Sequence, residues 1–167
     1  MDATDTNALA ERIAELETTL RGLRDREEIL ELAARYQRAC DGGWDHPTHA
    51  DPDLLASLFT EDGEYLVGEP PGASGRAAVR ARFVELQAIP WIIHYLANPI
   101  VAVDGDTATA EVKGFVRLID DHGDHLLHGA YHGHFARTAE GWRFQSWVFK
   151  SAFTPTDRAR SVEAVRY

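Results

Sequence analysis

The chain has 167 residues, which suits one domain, since two would each be unusually small. Hydrophobic residues at 44% and charged residues at 26% are the balance of a folded globular protein rather than a disordered one. A net charge of −10 argues against nucleic acid, and with only two lysines, Lys113 and Lys150, there is no polybasic patch for a membrane surface.

No apolar run approaches the ~18 residues of a membrane span, and the opening MDATDTNALAERIAE lacks the basic and apolar regions of a signal peptide, so a cytoplasmic chain is expected. The single cysteine, Cys40, excludes an internal disulfide framework.

The first forty residues read as helix. Leu9, Ile13, Leu16, Leu20 and Leu23 alternate spacings of four and three, a short heptad seam, and Glu27 takes the next seam position. Residues 1–24 are therefore expected to form a leading helix that packs on the body of the domain or on a partner subunit. Asp25 begins a second apolar face, with Ile29, Leu32, Ala33 and Tyr36. The pattern stops at Cys40, before the breaker Asp41-Gly42-Gly43. Asp41 thus ends a helix, where the dipole disfavours a carboxylate, and an acid there needs a local reason.

A His-, Pro- and Asp-rich loop from Trp44 to Asp53 follows, then a short amphipathic helix with Leu54, Leu55, Leu58 and Phe59. Glu61-Asp62-Gly63 is expected to turn the chain into a strand, Glu64 to Val67, and Gly68 to Gly75 reads as loop. A helix is predicted from Arg76 to about Leu86. The period then changes to two. Ile92 to Val103 is strand with a bulge or bend at Asn98-Pro99, and Asp104-Gly105-Asp106 is a hairpin signal. Thr107 to Ile119, His125 to Arg137 and Trp142 to Phe153 are three more strands. Residues 25–153 form the domain and 154–167 a polar tail. Helices followed by consecutive antiparallel strands make the chain α+β, with a sheet that can curl around the helices and leave a small-molecule cavity.

His94 is the one residue in the apolar run Ile89 to Leu96 whose side chain can change charge near neutral pH. On a cavity wall, desolvation favours its neutral, base-competent form, while a nearby carboxylate such as Asp41 fixes the tautomer. The bland alternatives are a hydrogen-bonded core histidine and an Asp41 that only closes the turn. Tyr36, five residues before Asp41, reaches the same pocket only if the helix ends beside it; otherwise it is part of the apolar face.

The run Asp25 to Asp41, LLASLFTEDGEY (Leu54 to Tyr65), IIHYLANPIVAVDGDTATAE (Ile92 to Glu111) and HGAYHGHFARTAEGWRF (His128 to Phe144) together resemble the SnoaL-like branch of the nuclear transport factor two-like superfamily. The resemblance spans about Asp25 to Phe153 and implies a cone-shaped α+β barrel, with N-terminal helices packed in a strongly curved antiparallel sheet. Its dehydratase and dehydrochlorinase members place a His-Asp pair on His94 and Asp41, and the dehydratases' pocket tyrosine falls on Tyr36. Several members carry a basic residue where this sequence has Trp147, so its function is either missing here or supplied by Arg137 or Lys150.

His128, His132 and His134 share a strand face and could hold zinc, but Tyr131 and Phe135 take the opposite face, which the resemblance places toward the pocket, and no Asp, Glu or Cys in that strand completes a ligand set. No metal or cofactor is therefore expected, and no phosphate loop or Gly-x-Ser-x-Gly elbow is present.

The resulting expectation is a cofactor-independent dehydratase or isomerase working on a hydrophobic oxygenated ring compound. His94 would be base, Asp41 its orienting partner and Tyr36 the aid to a leaving hydroxyl. Phe59, Tyr65, Trp91, Tyr131 and Trp147 would form the apolar wall. The rival is a non-catalytic binding or assembly module, similar to the β subunit of ring-hydroxylating dioxygenases. A homodimer or homotrimer is expected in either case.

Overall fold

One helix, α1 (Ala3–Cys40), opens the chain and runs unbroken through both apolar faces seen in the sequence. A computed structural model describes residues 3–41, 50–67 and 70–152. From Asp25 onward α1 is built into the body: Ile29, Leu32, Ala33, Tyr36, Ala39 and Cys40, spaced by threes and fours, are all buried. Its first half is different. The seam residues Leu9 to Leu23 are 48–61% exposed, so among the described residues nothing of the body buries the seam.

Helix α2 (Pro52–Ser57) starts at an Asp51 cap, whose carboxylate accepts from the Leu54 N–H at 2.9 Å, with Pro52 in the first turn. Helix α3 (Arg76–Leu86) buries Val79 and Phe83, and Arg80 ties it to α2 through Asp53 at 2.6 Å. The strands are β1 (Phe59–Leu66), β2 (Ala73–Ser74), β3 (Trp91–Asp104), β4 (Thr107–Asp120), β5 (Gly123–Thr138) and β6 (Gly141–Ser151).

They form one curved, open sheet in the order β2-β1-β6-β5-β4-β3. The expected α+β architecture is present, with one correction: the sheet is mixed, because β1 runs parallel to β6. Phe59 belongs to β1 rather than to the preceding helix, and Glu61-Asp62-Gly63 is an irregularity within that strand rather than a turn before it. Ala73-Ser74 pairs with β1 where loop was expected. The Asn98-Pro99 irregularity shifts the β3–β4 register between Ala97 and Ile100, with Asn98 at φ 50°.

The inner sheet face carries Ala108, Ala110, Val112, Val116, Tyr131, Phe135, Phe144 and Trp147. Gly114 and Gly133 sit among them because aromatic rings lie over their α-carbons; a Cβ on Gly133 would come 2.7 Å from Phe135 and 2.8 Å from Trp147. Of the histidines on β5, His134 is exposed and His128 and His132 are half-buried on the outer face. Among the described residues no cluster of three or more His, Cys, Asp or Glu could hold a metal ion.

Candidate active site

The last turn of α1 is fastened to β3 at a single residue. Gln37 and Asp41, one helical turn apart, both reach His94: the Gln37 side-chain amide donates to the His94 carbonyl at 2.6 Å. Asp41 accepts the His94 backbone N–H on Oδ2 at 2.9 Å and lies 2.5 Å from Nδ1 through Oδ1. This is the local reason for an acid at a helix C-terminus: two N–H donors from the neighbouring strand compensate the unfavourable dipole. Both side chains are buried, His94 at 5% and Asp41 at 9% exposure. With Nδ1–H directed at the carboxylate, the lone pair of the neutral ring is on Nε2.

Tyr36 stands beside this pair, its ring edge-on to the imidazole at 5.8 Å between centroids. Its hydroxyl pairs with that of Tyr65 at 3.1 Å and not with Asp41. Burial pushes the Tyr36, Tyr65 and Tyr131 phenols up from their ordinary value, so all three are protonated donors at neutral pH. Burial also pushes up the Cys40 thiol, which makes it a poor nucleophile. The Tyr131 hydroxyl and the Trp147 indole N–H are buried and find no hydrogen-bond partner among the described residues. Such orphans are rare in native interiors and cost about 1–3 kcal/mol each.

The structure gathers His94, Asp41, Tyr36, Tyr65, Phe59, Tyr131 and Trp147 in one place, but as a packed aromatic core rather than an open wall. Tyr131 and Trp147 stack at 4.8 Å and 9°, and Tyr36 touches Tyr65, Tyr131 and Trp147 at centroid separations of 5.8–6.2 Å. Phe59, Tyr131 and Trp147 are fully buried. Among the clefts lined by described residues are four of about 300–770 Å³; Tyr65 borders one of about 340 Å³, and His94 lines none of these four.

Trp91 is corrected as a wall residue. It lies on the opposite face of β3, an odd number of residues from His94, with the Arg117 guanidinium 6.0 Å from its ring.

Neither stand-in for the missing basic residue serves. Arg137 is held by Asp25 at 2.7 Å and Asp106 at 2.9 Å and lies 4.5 Å over Trp142, and Asp25 is about 24 Å along α1 from Asp41 at 1.5 Å per residue. Lys150 is exposed in a cleft with Lys113 and His128 on the outer sheet face. Gln37 was not singled out from sequence; its position four residues before a helix-ending acid is the signal that points to it.

The SnoaL-like domain family matches residues 21–148. Among solved structures, a nuclear transport factor two-like protein with a cystatin-like fold from Novosphingobium aromaticivorans is 32% identical, with a TM-score of 0.72 over 92% of this chain and 97% of the other. A candidate aromatic ring hydroxylase from the same organism is 26% identical, with a TM-score of 0.70 over 79% and 92%. A hexachlorocyclohexane dehydrochlorinase, 17% identical over 81% and 90% with a TM-score of 0.70, shares the fold. No curated protein matches the chain. The chain thus belongs to the SnoaL-like family of the nuclear transport factor two-like superfamily.

Proposed function

We propose that the protein is a cofactor-independent lyase of the dehydratase type, or an isomerase, acting on a hydrophobic, oxygenated ring compound of polyketide, steroid or terpenoid class. The observation that carries this reading is the buried Asp41–His94 pair, in which the carboxylate commits one imidazole nitrogen and leaves the other to act as base. In a dehydration, Nε2 takes a proton from the carbon beside a carbonyl. The C–H electrons form the new double bond as the C–O bond on the next carbon breaks. Tyr36 gives its proton to the departing oxygen, water leaves, and the proton on His94 passes back to the phenolate. Asp41 stabilises the imidazolium meanwhile. In an isomerisation the same proton returns to another carbon.

The orphan donors on Tyr131 and Trp147 suit a ligand that brings an oxygen acceptor. The absence of Arg137 and Lys150 from the pair favours a neutral substrate over a carboxylate. The dehydrochlorinase that shares the fold is named for an elimination, the same reaction class. A second reading is favoured by a different observation: the interior is filled by its own aromatic rings, which suits a non-catalytic binding or assembly module.

The test is a panel of hydroxylated cyclic ketones, followed by the absorbance of the conjugated enone, with wild type and His94→Gln. Turnover that falls about 10²–10⁴-fold in the folded variant supports the base. Equal turnover overturns it, and saturable binding with no turnover establishes the second reading.

A further inference from the structure

The first half of α1 carries an apolar stripe that the described residues leave about half exposed or more. Leu9, Ile13, Leu16, Leu20 and Leu23 are exposed. At about 100° per residue, the stripe lies roughly opposite Ile29, Leu32, Ala33 and Tyr36, the face by which the same helix enters the body. Because α1 is continuous from Ala3 to Cys40, the chain cannot fold its body onto the stripe. Five aligned apolar side chains in water are a surface built for contact.

We propose that this stripe pairs with the same stripe of a second copy, as a short, parallel, in-register two-helix seam. Ile13 and Leu20 occupy one seam position and Leu9, Leu16 and Leu23 the other; at the Ile13 layer, a β-branched residue at the first position with leucine at the second favours two parallel strands. The flanking charges agree. In register, Arg12 of one helix faces Glu17 of the other, twice by symmetry.

Arg12 now holds Glu15 of its own helix at 2.6 Å in an exposed pair, which is exchanged at little cost. An antiparallel pair that seats Leu16 on Leu20 sets Arg12 against Arg26 and Glu17 against Glu17. The alternative antiparallel register leaves Leu23 opposite Thr6.

Glu27 ends the seam, since the next core layer would oppose two carboxylates. Five side chains per copy fall well short of the roughly 20–30 residues a side of a stable interface, so the pairing is concentration-dependent.

The experiment is sedimentation equilibrium of the full chain across the micromolar range, with wild type and Leu16→Glu/Leu20→Glu, together with oxidation of Leu16→Cys and Thr18→Cys. Cys40 is buried and stays silent. The expected result is self-association whose mass halves in the double variant, with a melting curve little changed because Leu16 and Leu20 are already about half exposed in the single chain. Leu16→Cys cross-links to a covalent dimer and Thr18→Cys, on the other side of the helix, does not. A monomer at every concentration, an unchanged mass in the double variant, or equal cross-linking at both positions overturns the proposal.

Discussion

Asp41→Ala and Asp41→Asn should differ in stability by more than either residue's size suggests, and the difference is worked from two hydrogen bonds. The carboxylate accepts the His94 backbone N–H at 2.9 Å and meets Nδ1 at 2.5 Å, in a site almost closed to water. Alanine leaves the backbone N–H buried and unpaired, at about 1–3 kcal/mol, and removes a charge-assisted bond of about 1.5–3 kcal/mol. Together these span about 2.5–6 kcal/mol, and the loss of about 3–5 kcal/mol usual for breaking a buried pair lies within that span. Asparagine keeps an acceptor for the backbone N–H and turns an amide donor toward Nδ1, which then accepts. The buried charge also carries a desolvation cost that asparagine removes, so its net loss should be only about 1–2 kcal/mol.

For a chain of this size, about 2–4 °C of Tm accompanies each kcal/mol. Alanine should therefore lower Tm by roughly 6–20 °C, and asparagine by a few degrees. Urea unfolding at neutral pH, with equal slopes for the three proteins, gives the free energies directly. Equal losses in the two variants, or a loss under about 1 kcal/mol for alanine, would show that Asp41 does not hold His94 through these two bonds.

A second carboxylate sets an acid limb of stability. Burial pushes the Asp25 carboxyl up, but the Arg137 guanidinium and the Trp142 indole N–H more than offset this and hold it below its ordinary value. A lowered carboxyl contributes stability above its unfolded value that is lost as pH falls through the folded one. The stability gap between wild type and Asp25→Asn should thus be full at pH 7 and shrink below about pH 4; urea unfolding at a series of pH values reads it, and a constant gap would remove Asp25 from the acid limb. In the core, Gly133→Ala places a Cβ within 2.8 Å of the Phe135 and Trp147 rings, and overpacking of this kind should cost about 1–3 kcal/mol by the same unfolding measurement. A neutral result would mean that the ring stack moves aside freely.

How legible this was depends on the range of the interaction. Helix α3 was read at its observed ends, and the Asn98-Pro99 irregularity was visible as a broken alternation, because both are local patterns. Asp41 stood out as an acid on the wrong end of a helix, and His94 as an ion-forming group in an apolar strand; sequence could mark each as misplaced but could not show that they touch. Strand β1 was misread because its partner, β6, lies some eighty residues away and runs parallel, so no local turn announces it. Trp91 was misplaced by counting it as apolar without counting its parity from His94. Alternation told which aromatics point inward, but whether their rings leave space between them is a matter of volume, and Tyr131 stacked on Trp147 leaves little.

The most direct test of the central claim needs no natural substrate. Cyclic ketones are incubated with wild type, His94→Gln and Asp41→Asn in deuterium oxide, and mass spectrometry reads deuterium at the carbon beside the carbonyl. Proton removal by Nε2 predicts catalysed exchange in wild type, its loss in His94→Gln, and a strong reduction in Asp41→Asn, where the wrong tautomer presents N–H instead of a lone pair. Exchange that proceeds equally in all three folded proteins would contradict the assignment of His94 as the base.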